Sequence, residues 1–222
     1  DIKNLGIIEC NINSVGTGNA SNEVGGIAGR SNGTITNCYV LNGTIHNETT
    51  DYGGAISGGI VGRNYGLISN CYSVNIEGKL ESISNGREGS EGSSVGGIAG
   101  FCYLGSIINC YSISNNLVGE SIGAICGDVA DPVTIENCYY SSDYIQNGVG
   151  AGTDTTIACT QKEMQAQVTF VGFDFNDVWT MGGNEDYYYP ELISVELLFE
   201  KEVVSLEINT YPSKLTYCEN RA

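Results

Sequence analysis

Residues Ser21 to Val40 read SNEVGGIAGRSNGTITNCYV, and the pattern returns three more times. The later copies are GGIVGRNYGLISNCYSV from Gly58, VGGIAGFCYLGSIINCYSI from Val95 and IGAICGDVADPVTIENCYY from Ile122. Their NCY cysteines, Cys38, Cys71, Cys110 and Cys138, follow at intervals of 33, 39 and 28 residues. A period in this range, built from short β-branched runs between glycines, marks a solenoid; the units are too short and too glycine-rich for helix pairs. Each copy supplies one strand at GGIxG and another at GxIxNCYS, and a variable segment such as Leu41 to Ile45 closes the coil. One coil alone cannot bury its few apolar residues. Stacking pairs each strand with its equivalents and aligns Ile27, Ile60, Ile98 and Ile125 in one column and Ile35, Ile68, Ile107 and Ile135 in another. Each buried isoleucine contributes ~1.5–3 kcal/mol of transfer free energy before ordering entropy is subtracted. The pattern predicts an all-β parallel solenoid of about five coils. The glycine columns (Gly25, Gly58, Gly96, Gly123 and Gly29, Gly62, Gly100, Gly127) fit corners that need a positive φ or a close backbone approach.

Strict alternation would place Ile35 and Cys38 on opposite faces. Both face inward only if the chain bends at Asn37, and asparagine tolerates the left-handed region. Asn37, Asn70, Asn109 and Asn137 then form a ladder at one corner, and Tyr39, Tyr72, Tyr111 and Tyr139 form an aromatic row outside. The chain has nine cysteines, no CxxC and a single histidine, His46, so a Cys/His zinc site is disfavoured. Recurrence of Cys on each coil marks a packing position of free, buried thiols. Parallel stacked Cβ atoms stay near the ~4.8 Å strand spacing, longer than the roughly 3.8 Å a disulfide favours. Cys10, in IIECN, takes the same place in a weaker first copy over Ile7 to Ile12.

Working outward, Asp1 to Ser21 is a partial repeat, and a chain that starts at Asp1 without a leader reads as a piece of a longer protein. Two insertions, Glu48 to Ile56 and Gly78 to Ser94, leave the coil at one corner and are expected to project from one side, the usual binding surface of a solenoid. Tyr144 to Leu192 departs from the repeat. Thr160 and Glu163 fit a capping box, with helix continuing from Met164 towards Val168, and Phe170, Phe173, Phe175, Val178 and Trp179 supply bulk to plug an exposed solenoid end. Ser194 to Ala222 alternates again and reads as one or two strands. The expected organisation is thus repeats over 1–143, a C-terminal capping segment with a short helix over 144–193, and a strand-rich tail over 194–222.

A net charge of −17 argues against nucleic acid and against anionic membranes. The sequence has no run of 18 apolar residues, so membrane insertion is not expected.

The motif GGIAGxxxGxIxNCYS resembles the GLUG repeats of large bacterial surface proteins, and TxxxMxxQxTFVGFDFNDVWTM…YYYPEL resembles the segment that closes such repeats. Together they cover roughly Ile2 to Leu192. The stretch VVSLEINTYPSKLTY looks like the opening of a bacterial immunoglobulin-like domain. The resemblance implies a right-handed parallel β-helix displayed outside the cell. GLUG repeats also occur in large secreted peptidases, outside the catalytic domain, and the family supplies no catalytic residues.

A glycan-acting enzyme needs carboxylates converging on one exposed face. The columns flanking the second isoleucine (Thr36, Ser69, Ile108, Glu136 and Thr34, Leu67, Ser106, Thr134) supply no such pair. The position after GGIxG holds Arg30, Arg63, Phe101 and Asp128; stacked Arg30 and Arg63 repel unless solvated or bridged by an anion such as an acidic sugar. No HExxH occurs. Asp128 with Asp131 and Asp174 with Asp177 are the nearest approaches to a calcium site, short of the six to eight oxygens calcium takes. Trp179 with Tyr187, Tyr188 and Tyr189 is a candidate aromatic site, and Asn32, Asn42 and Asn47 head N-glycosylation sequons. No catalytic, cofactor-binding or metal residue is assigned. The expectation is a non-enzymatic, monomeric, extracellular module of a bacterial cell surface. It would be a stalk or adhesin meeting a host-matrix or glycan ligand through projecting loops and the tyrosine row. The alternative is an accessory segment of a large secreted peptidase or glycan-degrading enzyme.

Overall fold

The computed structural model describes residues 1–84, 92–130, 132–182 and 188–193, together with the backbone of the strands Glu207–Asn209 and Lys214–Thr216. It is a parallel β-helix. Each complete coil contributes five short strands rather than two and a closing segment, and equivalent strands stack into five parallel sheets that form its sides. Side one holds Asn22–Gly25, Ala55–Gly58, Ser93–Gly96 and Ser121–Gly123; side two holds Ala28–Ser31, Val61–Asn64, Ala99–Cys102, Cys126–Val129 and Val149–Ala151. Side three runs from Ile2–Lys3 through Thr34–Thr36, Leu67–Ser69 and Ser106–Ile108 to Thr134–Glu136. Side four carries the tyrosines, from Gly6–Ile8 through Tyr39–Leu41, Tyr72–Asn75, Tyr111–Ser114 and Tyr139–Ser141 to Ile157–Cys159. Side five holds Asn11–Gly16, Thr44–Thr49, Leu80–Ser84 and Leu117–Val118.

The predicted columns are the core. Ile35, Ile68 and Ile107 are in register and fully buried, as are Ile60 and Ile98. The bend at asparagine is present on every coil: Asn37, Asn70, Asn109 and Asn137 all have φ between 50° and 53°. Asn37 donates to Asn4 Oδ1 at 3.2 Å and Asn137 to Asn109 Oδ1 at 3.1 Å, forming rungs of a ladder. Past the bend each thiol turns inward and donates to the carbonyl two residues back, Cys38 to Thr36 and Cys71 to Ser69, both at 3.2 Å. The eight cysteines among the described residues are buried and form no disulfide with one another. Burial pushes the Cys102, Cys110 and Cys126 thiols above their usual range, because a thiolate there would lose its hydration.

The glycine columns answer the second of their two alternatives. None of these glycines has a positive φ. Close approach of sides one and two excludes a side chain instead: a Cβ at Gly100 would stand 2.7 Å from both N and O of Ser57. A second left-handed corner, between sides four and five, is made by Glu9 (φ 54°) and Asn42 (φ 50°). Buried amides brace the turns. Asn47 donates to the carbonyls of Asn22 at 3.0 Å and Ile56 at 3.2 Å, tying side five to side one, and Asn75 accepts from Gly43 N at 2.7 Å.

Four expectations are corrected. The first copy starts at Ile2, not Ile7: Ile2 pairs with Ile35 and Gly6 with Tyr39, so Leu5 takes the cysteine place and Cys10 aligns with Gly43. The segment from Gly78 does not all project, because Leu80–Ser84 is a strand in register with Ile45–Thr49; the rest of that insertion, 85–91, lies outside the described residues. The stack runs beyond Asp143, with Val149–Ala151 and Ile157–Cys159 adding to sides two and four. The tyrosine row is not exposed. Tyr39, Tyr72 and Tyr111 stack at centroid distances of 5.0 and 5.1 Å and are buried beneath the closing segment.

That segment lies along side four. Its helix is only Gln161–Met164, opened by the expected capping box, in which Thr160 Oγ1 accepts from Glu163 N and Glu163 accepts from Thr160 N. These bonds to the Glu163 carboxylate hold its pKa below the usual value. A 3-10 turn, Gln167–Thr169, and an antiparallel pair, Trp179–Met181 with Pro190–Leu192, follow. Phe170 packs on Tyr139 at 5.1 Å, Trp179 lies 6.0 Å from both Tyr72 and Tyr111, and Tyr111 donates to the Pro190 carbonyl at 2.6 Å. In the tail, Glu207–Asn209 and Lys214–Thr216 pair antiparallel.

Candidate functional site

With side four covered, the varied positions next to the glycine corner become the exposed chemistry. Because sides one and two approach so closely, two columns of side chains flank that corner. Side one contributes Glu23, Ile56, Ser94 and Ser121, in register. Side two contributes Arg30, Arg63, Phe101, Asp128 and Ala151, also in register. Between them an open groove of about 570 Å³ runs from Ile56 and Arg63 past Phe101 to Asp128 and Ala151, with Tyr103 and Glu120 on its margins.

One end is a charge cluster. Arg30 makes a two-pronged contact with Glu23, Nε to Oε2 and Nη2 to Oε1, both at 2.6 Å. Arg63 Nε stands 2.9 Å from Glu23 Oε1, and its Nη2 donates to Ser21 Oγ at 3.3 Å. Glu23 is therefore the anion that stacked arginines require, and it is built into the chain. The hydrogen bond to Glu23 raises the Arg30 pKa further. Both guanidinium groups also cover aromatic faces, Arg30 at 5.6 Å from the Tyr65 centroid and Arg63 at 5.1 Å from Phe101.

The middle is aromatic. Tyr103 lies 5.5 Å from Tyr65 and 6.0 Å from Phe101, and 47% of it is exposed. The far end is acidic and hydroxylic: Asp128, Glu120, Ser94 and Ser121. Partial burial raises the Asp128 pKa, and no positive side chain of the described residues pairs with Asp128 or Glu120.

The other candidates separate. Trp179 and Tyr189 are buried in the packing on side four and Tyr188 is exposed, so among the described residues these side chains form no open aromatic site; Tyr187 lies outside the described residues. Asp174 accepts from the backbone of Asn176 at 2.9 Å and of Asp177 at 3.2 Å, which makes it a turn-former, and Asp131 lies outside the described residues. Among the described residues no three His, Cys, Asp or Glu side chains converge as metal ligands. Asn47 is fully buried, so its sequon is unusable in the folded chain. His46 stands 2.8 Å from Glu81 on side five, and Lys79, hydrogen-bonded to the same carboxylate, holds the Glu81 pKa down.

Sequence reading reached Arg30, Arg63, Phe101 and Asp128 as a column but missed Tyr65, Tyr103, Glu23 and Glu120. The available signal was that these positions differ between copies while their neighbours repeat. Comparison with family models, curated proteins and solved structures finds no match for this chain.

Proposed function

We propose that the chain is a non-catalytic, extracellular β-solenoid module of a GLUG-type bacterial surface protein, a rigid stalk with a lateral binding face. The observation that carries this reading is the groove between sides one and two. Its lining comes from four successive coils, at the positions the repeat leaves unconstrained, while the repeated positions are committed to core and corners. A face made of variable side chains on an invariant frame is what recognition on a solenoid requires. The binding surface is placed on this groove rather than on the tyrosine row, which is covered. The test is retention of the purified chain on an array of glycans and host-matrix proteins, with the double variant Phe101→Ala/Tyr103→Ala alongside. Retention by the parent chain and its loss in the double variant, at unchanged circular dichroism, supports the reading. Retention of nothing, or retention indifferent to the double variant, overturns it.

A further inference from the structure

We infer that the groove takes an uncharged oligosaccharide laid along the solenoid axis; this rests on the groove being a binding face. Three features of its lining select that chemistry. First, the half-exposed Tyr103 stands beside Phe101 at 6.0 Å, the two rings tilted by 37°, and offers aromatic surface partway along the groove. A pyranose presents an apolar C–H face to such a surface and directs its hydroxyls sideways. Second, the groups to the side of and beyond the aromatics suit hydroxyls: the carboxylates of Asp128 and Glu120 accept, and Ser94 and Ser121 can do either. Third, the described charges of this face sum to net negative: Arg30 and Arg63 share the one carboxylate of Glu23, at 2.6 and 2.9 Å, which leaves one positive charge against the carboxylates of Asp128 and Glu120. Among the described residues an acidic sugar at the far end would meet Asp128 and Glu120 with no cation paired to either, so a uronate is disfavoured there where a neutral hexose is not.

The geometry also separates a glycan from a peptide. An extended peptide gains affinity by adding a strand to a free sheet edge. The strands flanking this groove are already paired on both sides through the middle of the stack, as Val61–Asn64 is with Ala28–Ser31 and Ala99–Cys102, so the face offers side chains and few free backbone groups. From Arg63 to Ala151 the groove crosses successive coils, each rising about 4.8 Å, a length suited to several sugar units rather than one.

The experiment is calorimetric titration of the intact chain with neutral gluco-, manno- and galacto-oligosaccharides of increasing length. Oligogalacturonates and an arbitrary extended peptide serve as comparisons. The expected result is binding by at least one neutral series, with affinity rising with length and then levelling. Tyr103→Ala and Asp128→Asn are each expected to weaken it about tenfold, and the oligogalacturonates to bind more weakly still. Tyr103 is half exposed and Asp128→Asn keeps its shape, so both variants should retain the parent circular dichroism. Groove-dependent binding of the acidic series or of the peptide, in preference to the neutral sugars, overturns the ligand class and leaves the binding face standing. Binding of neutral sugars unaffected by either variant overturns both.

Discussion

The left-handed asparagine at each coil corner makes a sharp prediction, and Asn70 is the position to test. Its φ is 50°, a region that costs a residue with a Cβ roughly 1–2 kcal/mol unless a short polar side chain relieves it. The ladder bonds of its column run from Asn37 to Asn4 and from Asn137 to Asn109, so replacing Asn70 leaves both intact and isolates the backbone effect. Asn70→Ala is expected to destabilise by about 1–2 kcal/mol. Asn70→Val, β-branched, is expected to cost more than ~2 kcal/mol. Asn70→Gly removes the clash and loses only about 0.5–1 kcal/mol through the greater freedom of the unfolded chain. Equilibrium urea unfolding reads this directly through the only tryptophan, Trp179, which is buried against Tyr72 and Tyr111. The midpoints should fall in the order Gly, Ala, Val at constant slope. If alanine is as stable as glycine, or valine equals alanine, the corner is not a left-handed constraint and the reasoning fails.

Glu9 occupies the corresponding corner between sides four and five with φ 54° but without asparagine's relief, so Glu9→Asn is expected to raise stability by ~0.4–1 kcal/mol in the same urea assay. Gly100→Ala places a Cβ 2.7 Å from Ser57 N and O, backbone atoms that cannot step aside, and should cost more than about 2 kcal/mol, whereas Gly18→Ala meets nothing within 4 Å and is opposed only by its positive φ. Glu23→Gln leaves Arg30 and Arg63 stacked and unmatched; with Arg63 mostly buried and Arg30 half exposed, the expected loss is about 1–2 kcal/mol, partly recovered in Glu23→Gln/Arg63→Met by urea unfolding. The Cys102, Cys110 and Cys126 thiols, raised by burial, keep their protons where the unfolded chain, with thiols near pH ~8.5, releases them; stability is therefore whole below that pH and falls above it, and the urea midpoint should drop between about pH 7 and 10.

What the sequence disclosed and what it hid divide along one physical line. A stacked coil obliges equivalent residues to meet the same neighbours, so inward Ile68, the bend at Asn70 and inward Cys71 are readable from recurrence alone. The first coil was misread because its cysteine and tyrosine are absent. Leu5 and Gly6 stand in those places, and Cys10 drew the eye to the wrong register; the constraint that does persist there is Asn4, at φ 56°. The fate of the tyrosine row was hidden because Trp179 and Phe170, which bury it, are distant in sequence and belong to no repeat. The groove was hidden for the opposite reason. Glu23, Tyr103 and Glu120 sit where the copies disagree, so no column announces them, and only the close approach of two glycine-lined sides brings them together with Phe101 and Asp128.

The order of the sides gives the groove an independence that can be measured. Going round the coil, sides one and two meet at the groove, while the closing segment lies on side four, separated from it by side three in one direction and side five in the other. Among the described residues, side chains of the groove therefore share no ring contact with Trp179 or Phe170. Substitutions at Tyr103 and Asp128 should leave the Trp179 emission spectrum unchanged, and their free-energy effects should add to those of substitutions at Phe170 within about 0.5 kcal/mol. Replacements within the NCY columns cannot share that additivity, because each column residue touches its equivalents on both neighbouring coils. A double change at Cys71 and Cys110 should couple by more than that margin. Such a difference between face and column is what allows recognition to change on this frame while its folding does not.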